Sequence, residues 1–488
     1  MDGMLARTLA AIRRRDWDAA AAAALAATAA GGVLPRPAVP MMTQLVGALR
    51  KSGRADAAAV LADRVIAGAP DEPAAWLARS HLAQHRGDLA AAIADTRAAM
   101  ARSADPRPAR PRLADLLYEA GELEAAAAEL HAALGPEGRD PVLLARLADV
   151  ADAAGDTAGM AAALDRAMAI RRAGGVGSPA LLMALLRAGR LADAVPDLDL
   201  RWAASGAPPR PFRQPVWDGG PATDRTLLVW GEQGLGEEIW TAALLPDVLP
   251  RVGRLVVECA PRLAALFRRS FPAATVVPRG APPHPAADAA ELPPAWVGLL
   301  GARAVRPGPH PPHLRSDPAA AAALRARYRA LGDGPLIGLS WRSANRHAPT
   351  AKSSRLADWG AILGRPAVFL DLQYGDTDAD RAEAAAGGWV VHRDPAVDPL
   401  GDLDHVAAQM AALDAIVTVS NTTAHLAGAL GVPSAVLLPR GRGQVWCWLD
   451  GRTPWYAGQR ICRQERAGRW EAAIAGAAAM LDGLFPGP

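Results

Sequence analysis

Asn421, Thr422 and Thr423 stand in a row, and His425 follows within the stretch SNTTAHLAGALGVP (420–433). Before them lies AIVTV (415–419), a β-branched apolar run with the character of a buried parallel strand. After them Ala424 to Leu430 favours helix, Gly431 and Pro433 stop it, and SAVLL (434–438) reads as the next strand. A strand, a tight turn and a helix start leave backbone N–H groups and the positive end of a helix dipole facing outward beyond the strand. That arrangement suits a phosphate or pyrophosphate, to which His425 could donate. The same residues also make an ordinary helix cap with a buried histidine, which needs no ligand. Other chemistry-bearing groups exclude more than they offer. Cys259, Cys447 and Cys462 are too widely spaced for a disulfide framework or a zinc site. His310 and His313 (HPPH) have no carboxylate or cysteine beside them and read as loop histidines. Gly231, Gly234 and Gly236 in GEQGLGEE lack the G-x-G-x-x-G spacing, which rejects a dinucleotide turn.

These residues need elements to position them. From Thr226 onward the chain alternates short apolar runs with helical patterns: strands at 226–230, 254–258, 275–277, 336–341, 367–372 and 389–392, with helices near 237–249, 262–270, 356–363, 402–413 and 471–484. Such alternation argues two parallel α/β halves with a cleft between them. The first half of the chain repeats instead. Gly53, Gly87, Gly121, Gly155 and Gly189 are spaced 34 residues apart, each between an apolar-periodic helix and an alanine-rich one. Pro73, Pro106 and Pro141 fall near starts of the first helices, where a missing N–H costs little. Five turns in register are the pattern of tetratricopeptide repeats, with Arg13 to Trp17 as an irregular first turn. Stacked helix pairs form a superhelix whose concave face commonly holds a protein or peptide; a spacer or dimerisation arm is the plainer alternative. The expected division is a repeat superhelix over 1–204, a Pro/Gly-rich linker over 205–224, and two α/β lobes over 225–317 and 318–488.

Composition narrows the partners. The formal charge is +3 and the arginines are scattered, so neither nucleic acid nor an anionic membrane is called for. No apolar run approaches a membrane span, and MDGMLARTLAAIRRRDW has no apolar core bounded by a cleavage site; a cytoplasmic, reducing location is expected.

The ordered motifs WGEQGLGEE, VVECAPRL, RSFP, GLSWRS, Lys352, LQYGD, DLD, VSNTTAHLAGALGVP and WYAGQRICRQ resemble a bacterial family that joins tetratricopeptide repeats to a GT-B glycosyltransferase module. The module is related to the heptosyltransferases and looks most like the flagellin-glycosyltransferase branch. The resemblance covers Trp217 to Leu484 as well as the repeats. It implies an α-solenoid followed by two Rossmann-like lobes, with a nucleotide-sugar as co-substrate held mainly by the C-terminal lobe. On the matching positions, Asn421, Thr422, Thr423 and His425 would cradle the diphosphate and ribose, and Gly428 would permit close packing. Lys352 and Arg342 would neutralise phosphate charge, and Gln373 would face the cleft from the loop after a strand. Asp402 and Asp404 could face the donor or simply complement a helix dipole. Glu237 stands where the relatives carry an aspartate base; the alternative for Glu237 and Glu238 is first-turn helix carboxylates. Trp341, Trp446, Trp448 and Trp455 could stack on a sugar or base, though core packing explains any one of them.

The expected activity is metal-independent, inverting transfer of a sugar from a nucleotide-sugar to a hydroxyl of a protein held by the repeats, plausibly a flagellin. No DxD-like pair stands at a strand end of the first lobe, so neither metal nor cofactor is expected. A CMP-linked nonulosonic acid is one donor the closest branch implies. The rivals are a non-catalytic scaffold with a vestigial module, to which glutamate at 237 lends weight, and a transferase acting on a glycan or lipid carrier. Self-association through the repeats is a further expectation.

Overall fold

The computed structural model describes residues 2–28, 34–205, 210, 212–231, 234–280, 291–292, 294, 297–301, 310–343, 351–443, 451–453 and 455–486. The chain forms two compact units, Met1–Ala151 with Gly159–Ile170, and Asp152–Ala158 with Arg171–Pro488.

The first unit is built of helix pairs: Asp2–Arg13 with Trp17–Thr28, Val39–Lys51 with Ala55–Gly68, Pro73–His85 with Leu89–Arg102, and Arg110–Glu119 with Leu123–Leu134. The five spaced glycines all take left-handed φ, 80° at Gly53 and Gly87, 81° at Gly121 and Gly155, and 72° at Gly189. A Cβ is disfavoured in that conformation, which is why glycine recurs there. Arg15, in the irregular first turn, adopts φ 56° with a full side chain. After Arg15 and after Gly87 the next residue caps the following helix: Asp16 Oδ1 accepts from Ala19 N at 3.1 Å, and Asp88 Oδ1 from Ala91 N at 2.9 Å. Leu45, Leu49, Leu61, Val65 and Leu82 fill the interior between the pairs.

The second unit holds two parallel sheets. The smaller has the order β1-β2-β3, with β1 Ala222–Val229, β2 Val252–Cys259 and β3 Thr275–Pro278. The larger has the order β6-β5-β4-β7-β8-β9, with β4 Leu336–Ser340, β5 Val368–Asp371, β6 Val391–His392, β7 Ala415–Val419, β8 Ser434–Leu438 and β9 Gln459–Arg463. Strands β4, β5, β7 and β8 are buried along their whole length, as sheets covered on both faces require. Helix Glu471–Leu484 packs on β8 and β9, and Trp341, Trp359, Val417, Leu437 and Leu481 share one core. The observed architecture is therefore an α-solenoid of helix pairs followed by two parallel α/β lobes of the Rossmann-like kind.

Three expectations change in detail. The helix expected over 237–249 is broken: α-helix Leu235–Thr241 gives way to 3-10 turns at Ala242–Leu244 and Leu249–Arg251 around a single turn at Leu245–Val248. Pro246 and Pro250 each remove a backbone donor from that stretch. Strand β9 is an addition, hydrogen-bonded to β8 from Ser434↔Gln459 to Leu438↔Arg463. Finally, residues 171–204, expected with the repeats, belong to the second unit, where Trp202 stacks on Trp230 with ring centroids 5.9 Å apart. Among the described residues no helix is long and apolar enough to cross a membrane.

Candidate active site

Strand β7 ends at Val419, and Asn421 caps the helix Thr422–Leu430 with its Oδ1, which accepts from Thr423 N at 2.9 Å. The same side chain reaches across the sheet. Asn421 Nδ2 donates to Ser340 Oγ at 2.8 Å and to the Arg342 carbonyl at 3.1 Å, both at the end of β4. Strands β4 and β7 are neighbours from which the sheet is built outward in opposite directions, so their carboxyl ends flank the topological switch point where open α/β sheets bind ligands. Asn421 stitches that crevice together from both sides.

Gln373 completes the stitch from below. Its Oε1 accepts from Ser340 Oγ at 3.1 Å, Trp341 N at 3.0 Å and Arg342 N at 2.8 Å, and the side chain is only 1% exposed. With its carbonyl oxygen fully engaged by the protein, Gln373 shapes the loop after β4 and does not itself line the cleft. Arg342 also turns away: its guanidinium pairs with Asp380 at 2.9 Å and donates to the Asp376 carbonyl at 2.7 Å. Thr423 is buried beneath the helix start, where its N–H is consumed by the cap.

A cleft of about 370 Å³ opens beside this point. Glu237 and the backbone of Gly234 and Gly236 line it from the first lobe; Lys352, Ser343, Ser420, Asn421, Thr422 and His425 line it from the second. Thus Glu237, Lys352, Asn421, Thr422 and His425 line one cleft. Lys352 is 4% exposed, and burial pushes its ammonium down to about 8 while the Glu237 carboxylate opposes that fall. His425 is held neutral, its pKa lowered to about 3 by burial and then by Lys352. Among the described lining residues the cleft thus sets the Lys352 ammonium, the Arg262 guanidinium, a helix N-terminus and neutral donors opposite the Glu237 carboxylate, an environment for an anion.

Glu238, next to Glu237, has a different role. It is 1% exposed, accepts from Ala260 N at 2.7 Å and pairs with Arg279 at 2.7 Å. Asp402 caps the helix Leu403–Ala411 through Asp404 N, and Asp404 pairs with Arg269 of the first lobe. Asp402 thus follows the helix-end alternative, while Asp404 is taken up by Arg269. Gly428 packs closely against Tyr456 and is not among the residues that line the cleft: a Cβ there would lie 2.4 Å from that ring's Cγ. Trp341 and Trp455 are core residues; Trp446 and Trp448 lie outside the described residues.

Several lining residues escaped selection by sequence. Arg262 and Tyr374 stand inside the motifs VVECAPRL and LQYGD, so their signal was present but unassigned. Arg262 Nε donates to the Gly401 carbonyl at 2.8 Å and Nη2 to the Pro399 carbonyl at 3.0 Å, which fixes the segment carrying Leu400 and Leu403 at the cleft's apolar end.

No family model matches the chain. It is 32% identical over 320 residues to Protein FlbA of Caulobacter vibrioides, a match covering 61% of this chain and 53% of that one. The chain thus spans about half the length of that curated relative. Among solved structures, the chain is similar to the glycosyl transferase family 9 protein from Veillonella parvula: 12% identity, TM-score 0.38, covering 53% of this chain and 97% of that chain. It is similar too to the E. coli ADP-heptose lps heptosyltransferase II, at 14% identity and TM-score 0.38, covering 53% of this chain and 98% of that chain. The MamA protein matches 35% of this chain and 90% of its own, at 13% identity and TM-score 0.30.

Proposed function

We propose that the chain is a metal-independent, inverting glycosyltransferase whose donor is a nucleotide-sugar. The observation that carries the reading is the joint lining of one cleft by Glu237 from one lobe and by Lys352, Asn421, Thr422 and His425 from the other. In this reaction the acceptor oxygen attacks the anomeric carbon while Glu237 takes the hydroxyl proton. The bond from that carbon to the phosphate oxygen breaks on the opposite face, and the nucleotide leaves with the electron pair. Lys352 and the start of helix Thr422–Leu430 face the charge that develops on the leaving group, so electrostatic stabilisation comes from the chain's own groups. The repeat array supports a protein acceptor, for which a flagellin is the candidate implied by the sequence resemblance.

The test is calorimetric titration of the purified chain with UDP, GDP, ADP, CMP and CDP, beside Lys352→Ala and Glu237→Gln variants. One nucleotide should bind the parent, fail to bind Lys352→Ala, and bind Glu237→Gln nearly unchanged. With the matching donor and an acceptor in hand, Glu237→Gln should lower kcat by about 10²- to 10⁴-fold. Well-folded protein that binds none of the five would point to the non-catalytic scaffold.

A further inference from the structure

His425 and Tyr456 face one another across the inner wall of the cleft, 31 residues apart in sequence. The Tyr456 ring is packed on three sides. It covers Gly428, lies parallel to the His313 ring (centroids 6.2 Å apart, 9° between planes) and meets His425 edge-on at 6.1 Å. Its hydroxyl is 3.1 Å from His425 Nδ1, and among the described residues that nitrogen is the hydrogen-bond partner the phenol has. Tyr456 is 2% exposed, and burial raises its pKa well above the usual value, so the phenol keeps its proton. The imidazole is neutral and therefore carries one N–H.

That proton has two possible positions. If Nδ1 carried it, the ring would donate to the phenol oxygen, and the phenol's own hydrogen would need a second acceptor between Gly428 and the His313 ring. If Nε2 carries it, the phenol donates to Nδ1 and the imidazole N–H lies on the cleft side, where solvent or a ligand can accept it. The Nε2 edge lies toward the first lobe: a Cβ on Gly236 would sit 3.3 Å from it, and Gly236 and His425 both line the cleft. We propose that Tyr456 is a positioning residue, which donates to His425 Nδ1 and so holds the imidazole as the Nε2–H tautomer, presenting that proton to a phosphoryl oxygen in the cleft. The inference rests on the phosphate-binding role proposed above and adds the residue that decides how His425 can serve it.

Two measurements on the full chain test it. Long-range ¹H–¹⁵N correlation of ¹⁵N-histidine-labelled protein reads the tautomer directly, with the His425 signals identified by their loss in His425→Gln. The parent should show Nε2–H without any ligand, and Tyr456→Phe, which keeps the packed ring, should shift His425 toward a mixture of tautomers. In parallel, inorganic pyrophosphate should bind Tyr456→Phe about fivefold more weakly than the parent. His425→Gln, whose amide N–H reaches to where Nε2–H lies, should retain more affinity than His425→Asn. An Nδ1–H signal in the parent overturns the proposal. So does pyrophosphate binding that survives Tyr456→Phe unweakened, an outcome that leaves the glycosyltransferase reading standing. Failure of the parent to bind pyrophosphate or any nucleotide of the panel overturns the anion-holding role together with that reading.

Discussion

At the scale of single residues, Lys352 governs how the cleft responds to pH. Burial lowers its pKa to about 8, so the ammonium is present at pH 7 and is mostly lost by pH 9. If the donor phosphates need the charged form, affinity for the nucleotide should fall by about tenfold between pH 7 and pH 9. Calorimetry across that range checks this, and Lys352→Met should bind weakly with the slope gone. Stability runs the other way. A base whose folded pKa is depressed binds fewer protons folded than unfolded between about 8 and its model value of 10.5. The ligand-free protein should therefore gain stability as pH rises through that window, and Lys352→Met should lose that gain. A chemical-denaturation series from pH 7 to pH 10 separates the two effects.

At the scale of elements, the repeat turns carry an experiment already done by the sequence. Five of them use glycine at a left-handed φ, while the first places Arg15 at φ 56°. Arg15→Gly should relieve that conformation and stabilise the first unit by about 0.5–1 kcal/mol, after allowing for the freedom glycine regains in the unfolded chain. A higher urea midpoint for the helical transition is the expected result; an unchanged midpoint would mean the arginine costs nothing there. Gly428→Ala should act in the opposite sense, by about 1–3 kcal/mol, because its Cβ would fall 2.4 Å from Tyr456 Cγ. These elements were largely legible beforehand, since their signals are local: spaced glycines, an Asn-Thr-Thr cap, β-branched runs. What stayed hidden depends on partners far away in sequence. Gln373 looks ligand-facing after a strand, yet the backbone N–H groups of Trp341 and Arg342 occupy its oxygen. Asp404 looks like a helix-start carboxylate, and only folding brings Arg269 to it. Tyr456 matters because a glycine 28 positions earlier leaves it room, and no spacing rule links the two.

At the scale of the whole second unit, its two lobes are tied by polar contacts beside the cleft. Arg269 of the helix Ala264–Ser270 pairs with Asp404, Nη2 to Oδ2 at 2.7 Å, and Arg262 holds the carbonyls of Pro399 and Gly401. The pair is partly solvent-exposed, so Asp404→Ala should cost only about 1 kcal/mol of stability. Its larger effect should fall on function. A looser cleft should raise the KM for donor about fivefold, with kcat less affected. An unchanged KM would show that the lobes hold their relation without this tie. The lobes also meet at Trp240 and Trp455, one from each, with ring centroids 4.3 Å apart and planes inclined by 31°. Two indoles that near are excitonically coupled, and the coupling depends steeply on separation and angle. The molecule thus carries an optical gauge of the spacing between its lobes: the near-ultraviolet circular dichroism lost in Trp455→Phe would report, without any added label, any change in that spacing when a nucleotide is added.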